Sequence, residues 1–162
     1  MQRSDLGSWI NKQKHQIEDA LKTFVEINTY TANETGVDEG MDVLCRMVEK
    51  WGFTVEVINA RHRLIKAGDG TSKPRIMLIS HMDTVFPPDG DFLKYEPLKD
   101  GFVRGPGTGD IKGGMIIGLW AMLAIRELCE HFDVQMAVRA DEEKGSQTIN
   151  QWYLNGHSGA DY

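Results

Sequence analysis

An α/β fold is predicted for this chain: three layers, with a central, mostly parallel (mixed) sheet flanked by helices. Three observations predict it. Helical stripes alternate with short β-rich runs along the 162 residues. One run, Arg75 to Ser80, is almost wholly apolar, as a strand buried in a parallel sheet is. Acidic clusters follow directly on such runs, and ligands of open α/β sheets gather beyond the C-terminal ends of the strands. The length suits one domain or a piece of one and is too short for two ordinary domains.

The elements follow in order. From Ser4 to Ile27, Leu6, Ile10, Ile17, Leu21, Phe24 and Val25 recur at helical spacing, with Ser4 or Asp5 as a cap. Asn28 to Gly36 is polar and turn-rich. Val37 to Trp51 resumes a helical stripe through Met41, Leu44, Cys45 and Val48 until Gly52 stops it. Phe53 to Ile58 alternates like a strand, and Arg63 to Ala67 is its hairpin partner. Gly68 to Pro74 is a loop before the apolar strand Arg75 to Ser80. Pro87, Pro88, Asp89 and Gly90 break the chain, and Leu98 to Arg104 forms an edge hairpin turning at Asp100-Gly101. A glycine-rich segment then opens a long helix, which Met115, Ile116, Leu119, Trp120, Met122, Leu123 and Leu128 make apolar on more than one face. Phe132 to Ala140 is the next strand, and Ser146 to Leu154 a further helix.

Composition excludes several classes. The formal net charge of −6 argues against nucleic acid, whose phosphates need clustered Lys and Arg. No apolar run is long enough to span a bilayer, so no membrane partner is expected. The first twenty residues mix charges with apolar residues and have no signal-peptide core, which makes cytoplasmic residence the expectation. Cys45 and Cys129 lie far apart without metal or redox spacing and are expected to be buried free thiols.

Three segments carry chemistry. In Ser80-His81-Met82-Asp83-Thr84-Val85, His81 and Asp83 are two apart, which on extended chain puts both on one side. One could bind a cation while the other holds it, since a carboxylate on the second imidazole nitrogen fixes the tautomer. Taken alone, a surface His beside a loop Asp explains the pair as well. In Gly105-Pro106-Gly107-Thr108-Gly109-Asp110-Ile111-Lys112-Gly113-Gly114, alternate glycines let backbone deliver Asp110 close to something bulky. A phosphate cradle is the competing reading. It fails because Asp110 puts negative charge where phosphate would sit and because the Gly-Lys-Ser/Thr order is missing. In Asp141-Glu142-Glu143-Lys144-Gly145-Ser146, successive carboxylates point different ways at a strand end, so one glutamate can ligate while its neighbour takes a proton. A solvated acidic turn is the bland alternative. Gathered in one pocket, one His and four carboxylates would repel one another unless a cation sat among them.

These segments resemble, in order and over essentially the whole chain, the N-terminal motifs of the two-zinc exopeptidase and deacylase family. That family includes glutamate carboxypeptidase, acetylornithine deacetylase, succinyl-diaminopimelate desuccinylase and aminoacylase. The glutamate carboxypeptidase branch is the most similar, although many relatives have Arg where Pro106 stands. The resemblance implies a zinc-exopeptidase-like fold and two zinc ions, with cobalt or manganese as substitutes. His81 would ligate one ion, Asp110 would bridge both, and Glu143 would ligate the other. Glu142 would be the general base and Asp83 would orient His81, and a cis peptide is implied after Asp110. The implied reaction is hydrolysis of an amide bond in a small peptide or N-acyl amino acid, by a carboxypeptidase releasing a C-terminal residue such as glutamate or by a deacylase.

The family pattern also departs from this sequence. It places a further acidic ligand shortly beyond the stretch matching Ala160-Asp161-Tyr162, and a His near the end of a much longer chain. Residues 1–162 are therefore expected to be the N-terminal part of the catalytic domain, without the lid or dimerisation domain and its C-terminal part. Each metal then keeps two protein ligands where catalytic zinc has three. His157, His15, His62 and His131 are read as ordinary histidines. An uncovered sheet edge or apolar face is expected, with self-association or poor stability as its consequence, and a homodimer is among the expected partners. A non-catalytic fragment or interaction module that inherited the motifs is the reading from a different class.

Overall fold

The computed structural model describes residues 3–156 and 159–161. The first apolar stripe forms α1 (Arg3–Glu26), in which Ser4 and Asp5 are already helical rather than capping. The second forms α2 (Glu34–Lys50), three residues earlier than the stripe alone indicates. The cause is local: the Asn33 side chain accepts from the Gly36 amide, so the polar stretch is the cap and first turn of the helix.

Strands β1 (Thr54–Ile58) and β2 (His62–Gly68) make the expected antiparallel hairpin, Ile58 facing His62 across the turn. Next come β3 (Arg75–His81), the short β4 (Glu96–Pro97) and β5 (Val103–Arg104), α3 (Lys112–Leu128), β6 (Asp133–Arg139) and α4 (Asn150–Leu154). Strands β4 and β5 pair only with each other, around Asp100 and Gly101, both at positive φ. The central sheet runs β1-β2-β6-β3. It is mixed, as expected, but only β3 and β6 are parallel; β1 with β2 and β2 with β6 are antiparallel, so the parallel share is smaller than predicted.

Alternation along the strands sends side chains to two cores. Val134, Met136 and Val138 of β6, with Ile65 and Ala67 of β2, meet α1, α2 and α3 on one face. Ala137, Leu64 and Ile58 turn to the other, against Ile149, Trp152 and Tyr153. These make the three layers. From α3, Met115, Ile116, Leu119 and Met122 are each at most 1% exposed. Burial of such side chains contributes roughly 1.5–3 kcal/mol apiece.

Three expectations shift. β3 is parallel but lies at the sheet edge, with Ile76 and Ile79 exposed by 36% and 51%. The last helix shrinks to α4, because Ser146 sits at φ +52° and residues 146–149 turn rather than wind. Cys129, where α3 ends, is an exposed free thiol, while Cys45 is half-buried.

Candidate metal centre

His81 closes β3 and lies in register with Arg139 at the end of β6, so the loops beyond the two strands leave the sheet side by side. One carries Asp83 and the other Glu142 and Glu143. Segment 29–31, between α1 and α2, is laid along the first loop. The Thr84 amide donates to the Thr29 carbonyl at 2.8 Å, the Thr31 amide donates to the Thr84 carbonyl at 3.0 Å, and Tyr30 and Thr84 form a parallel bridge.

Asp83 is 1% exposed and is satisfied from three directions. One carboxylate oxygen accepts from the Glu142 amide at 3.0 Å; the other accepts from the Glu143 amide at 3.1 Å and the Thr31 hydroxyl at 2.9 Å. His81 Nδ1 lies 3.3 Å from the first oxygen and 2.9 Å from the Asp83 backbone carbonyl. Burial alone would raise the Asp83 pKa. The hydrogen bonds from His81, the Glu143 amide, Thr31 and the Glu142 amide outweigh it and hold the carboxyl below its ordinary range. Asp83 thus lies against His81 and also ties down the turn carrying both glutamates. Thr29 and Thr31 were not singled out from the sequence, where nothing separates them from any polar loop residue.

Both acceptors at Nδ1 fix the proton there, which leaves Nε2 to the open side. Nε2 faces Asp110 Oδ1 at 3.2 Å and Glu142 Oε2 at 3.7 Å. In the neutral imidazole that nitrogen would turn a lone pair on two anionic oxygens. A proton or a cation resolves the conflict. Burial lowers the His81 pKa, but the hydrogen bonds and charge of Asp83, with Asp110 beyond, carry it above its ordinary value. Glu143 is pushed up, first by burial; His81 pulls it down, and the charges of Asp83, Asp110 and Glu142 raise it. His81, Glu142 and Glu143 each offer a ligand atom, all within 4.8 Å of one another. An imidazole among converging carboxylates suits a divalent cation such as zinc.

Asp110 is less closely held. Its side chain is 80% exposed, and it touches His81 without joining the three-residue group. It comes from the loop joining β5 to α3, not from a strand of the central sheet. The Asp110–Ile111 peptide is cis. Two groups anchor the segment. Gly107, at φ +76°, packs where a Cβ would stand 2.9 Å from the Lys112 side chain. The fully buried Lys112 ammonium donates to the carbonyls of Phe24 at 2.7 Å and Ile27 at 3.0 Å, stitching the start of α3 to the end of α1. Burial pushes its pKa down to about 7.

Of the other histidines, His157 lies outside the described residues. His15 and His131 are exposed. His62 is fully buried: its Nδ1 accepts from the Ala140 amide at 3.1 Å, so Nε2 donates to Thr148 Oγ1 at 2.6 Å, and that hydroxyl donates to Asp141 at 2.8 Å. Desolvation is the largest influence on it and keeps its pKa low. An apolar groove of about 370 Å³ between α1 and α3, lined by residues such as Trp9, Ile117 and Trp120, holds none of these groups.

Comparison with known proteins gives concordant results. The model of peptidase family M20/M25/M40 matches residues 77–162, which include all three acidic clusters. A probable succinyl-diaminopimelate desuccinylase of Staphylococcus epidermidis is 31% identical over 149 residues, covering 86% of this chain and 36% of the relative. Human carnosine dipeptidase 1 superposes with a TM-score of 0.83 at 20% identity, over 98% of this chain and 40% of that one. An M20 family metallo-carboxypeptidase of Sulfolobus solfataricus superposes with a TM-score of 0.70 at 21% identity, over 84% and 33%. At those identities the structural likeness speaks for the fold. The chain spans little more than a third of the length of the curated relatives it matches.

Proposed function

The chain belongs to peptidase family M20/M25/M40, and from that premise we propose that it carries part of the catalytic site of a zinc-dependent hydrolase that cleaves an amide bond. The observation that carries this reading is the convergence on His81 Nε2 of carboxylates from segments 29 and 61 residues further along, Asp110 and Glu142. His81, Asp110 and Glu143 would hold two zinc ions there. Zinc bound there would supply a Lewis acid for the scissile carbonyl oxygen. Glu142 takes the proton of the attacking water and returns it to the leaving amine. Asp83 keeps His81 in the tautomer that presents Nε2.

Residues 1–162 are the N-terminal part of the family's catalytic domain, a reading supported by the 33–40% of the solved chains that they cover. The substrate is a small peptide or an N-acyl amino acid. The carboxypeptidase and dipeptidase neighbours favour release of a C-terminal residue, with glutamate one candidate, and the desuccinylase relative favours deacylation.

Zinc titration of the purified chain against its Asp110→Ala variant tests the site. Tighter binding by the unaltered chain is expected, and equal binding overturns the assignment. In the complete protein, Glu142→Ala should retain metal and lose turnover by about 10²–10⁴-fold. Unchanged turnover would remove Glu142 from the role of base.

A further inference from the structure

We infer that Arg139 is a positioning residue that holds the Glu142 carboxylate away from the metal and so keeps it a base rather than a ligand. The inference rests on the proposed metal site and concerns a side chain outside the three acidic clusters.

Arg139 ends β6 directly opposite His81, so both side chains leave the same face of the sheet. One terminal nitrogen of its guanidinium, Nη1, donates to the Ser146 hydroxyl at 2.7 Å. Ser146 is itself 4% exposed and is fixed by its amide, which donates to the Asp141 carbonyl at 3.0 Å. The other, Nη2, stands 3.6 Å from Glu142 Oε1. The second oxygen of the same carboxylate, Oε2, lies 3.7 Å from His81 Nε2. Glu142 is therefore stretched between a guanidinium and the nitrogen presented to the metal.

That placement answers a chemical question the site poses. Glu142 offers an oxygen within 4.8 Å of the ligand atoms of Glu143 and His81, and an ionised carboxylate beside a divalent cation coordinates it unless something competes. A base needs its lone pair free for a proton. A planar guanidinium anchored at one end by Ser146 presents its other end at a set distance, which a flexible ammonium does not. The cation that competes for Oε1 is thus built into the strand, and the turn carrying Ser146 aims it.

Cobalt(II), bound to the purified chain in place of zinc, reads the outcome through its d–d absorption, which weakens as coordination number rises. In Arg139→Ala, Glu142 should swing onto the metal: the bands weaken and affinity rises. In a Glu142→Gln background the same arginine substitution should leave the bands unchanged, since no carboxylate remains to recruit; this double-mutant cycle separates the clamp from simple loss of positive charge. Arg139→Lys should restore the spectrum only in part. If Arg139→Ala loses its cooperative thermal transition, Ser146→Ala, which frees the guanidinium without removing its charge, makes the same comparison. Bands that do not change, or that change equally in both backgrounds, overturn the inference while leaving the metal site standing. Cobalt bound no better than by His81→Ala overturns both.

Discussion

Asp83 joins residues from three parts of the chain, and its energetic weight follows from what each would lose. Removal of its carboxylate in Asp83→Ala leaves the Glu142 and Glu143 amides without their acceptor, while the Thr31 hydroxyl and His81 Nδ1 fall back on the Thr84 carbonyl at 3.3 Å and the Asp83 backbone carbonyl at 2.9 Å. Orphaned buried donors cost about 1–3 kcal/mol each. A loss of about 3 kcal/mol or more in urea unfolding is expected, together with weaker zinc binding; a variant as stable as the parent would contradict the arrangement. His62 yields a prediction of opposite chemistry. Its folded pKa lies below the ordinary 6.5, so the unfolded chain binds more protons than the folded one as pH falls through that value. His62 therefore contributes stability that is present above pH 6.5 and declines on acidification until the folded pKa is reached. Urea midpoints at neutral and mildly acidic pH should show a decline that His62→Gln reduces. An identical decline in the variant would remove His62 as its source.

Among the elements, the loop into α3 is constrained where it meets the helix. A Cβ at Gly113 would stand 2.3 Å from the Thr108 carbonyl oxygen, which is backbone and cannot rotate away. Gly113→Ala should destabilise by about 1–3 kcal/mol, as overpacking does, and should disturb Asp110 three residues before it. At Gly109 nothing lies within 4 Å of the same added atom, so Gly109→Ala is the control. Thermal unfolding and zinc titration of the pair check both statements, and equal behaviour would refute them. The alternating glycines of this segment thus differ: Gly107 meets a positive φ and a crowded neighbour, while Gly109 stands in open space.

At the scale of the molecule, among the described residues, the sheet ends in β3, which pairs with β6 on one side and with no strand on the other. Asp161 covers its start, its amide donating to the Arg75 carbonyl at 3.0 Å and its carboxylate accepting from the Arg75 amide at 2.8 Å. Further along, Ile79 is 51% exposed. Exposed apolar edge strands template pairing between chains. Sedimentation should show mass rising from micromolar to hundreds of micromolar protein, and Ile79→Lys should suppress the rise; a chain that stays monomeric throughout would refute this. No helix among the described residues is long and apolar enough to cross a membrane.

Local pattern carried the order and type of the elements and named the residues that converge. Apolar stripes of period 3.6 and alternating runs report which face a segment buries, and motif order placed His81, Asp83, Asp110, Glu142 and Glu143 as candidates. Boundaries went astray where one side chain or one backbone angle decides them, as with the Asn33 cap and the turn at Ser146. Which strand lies at the edge, and that the β1–β2 hairpin joins β6 antiparallel, depend on pairings between distant segments that local periodicity does not encode. The same holds at the site. Chemistry-bearing residue types were legible because a metal centre needs a restricted set of donors. Thr31, Arg139 and the His62–Thr148–Asp141 chain became visible only once folding brought β2, β6 and the loop after α1 together, since their importance lies in whom they touch.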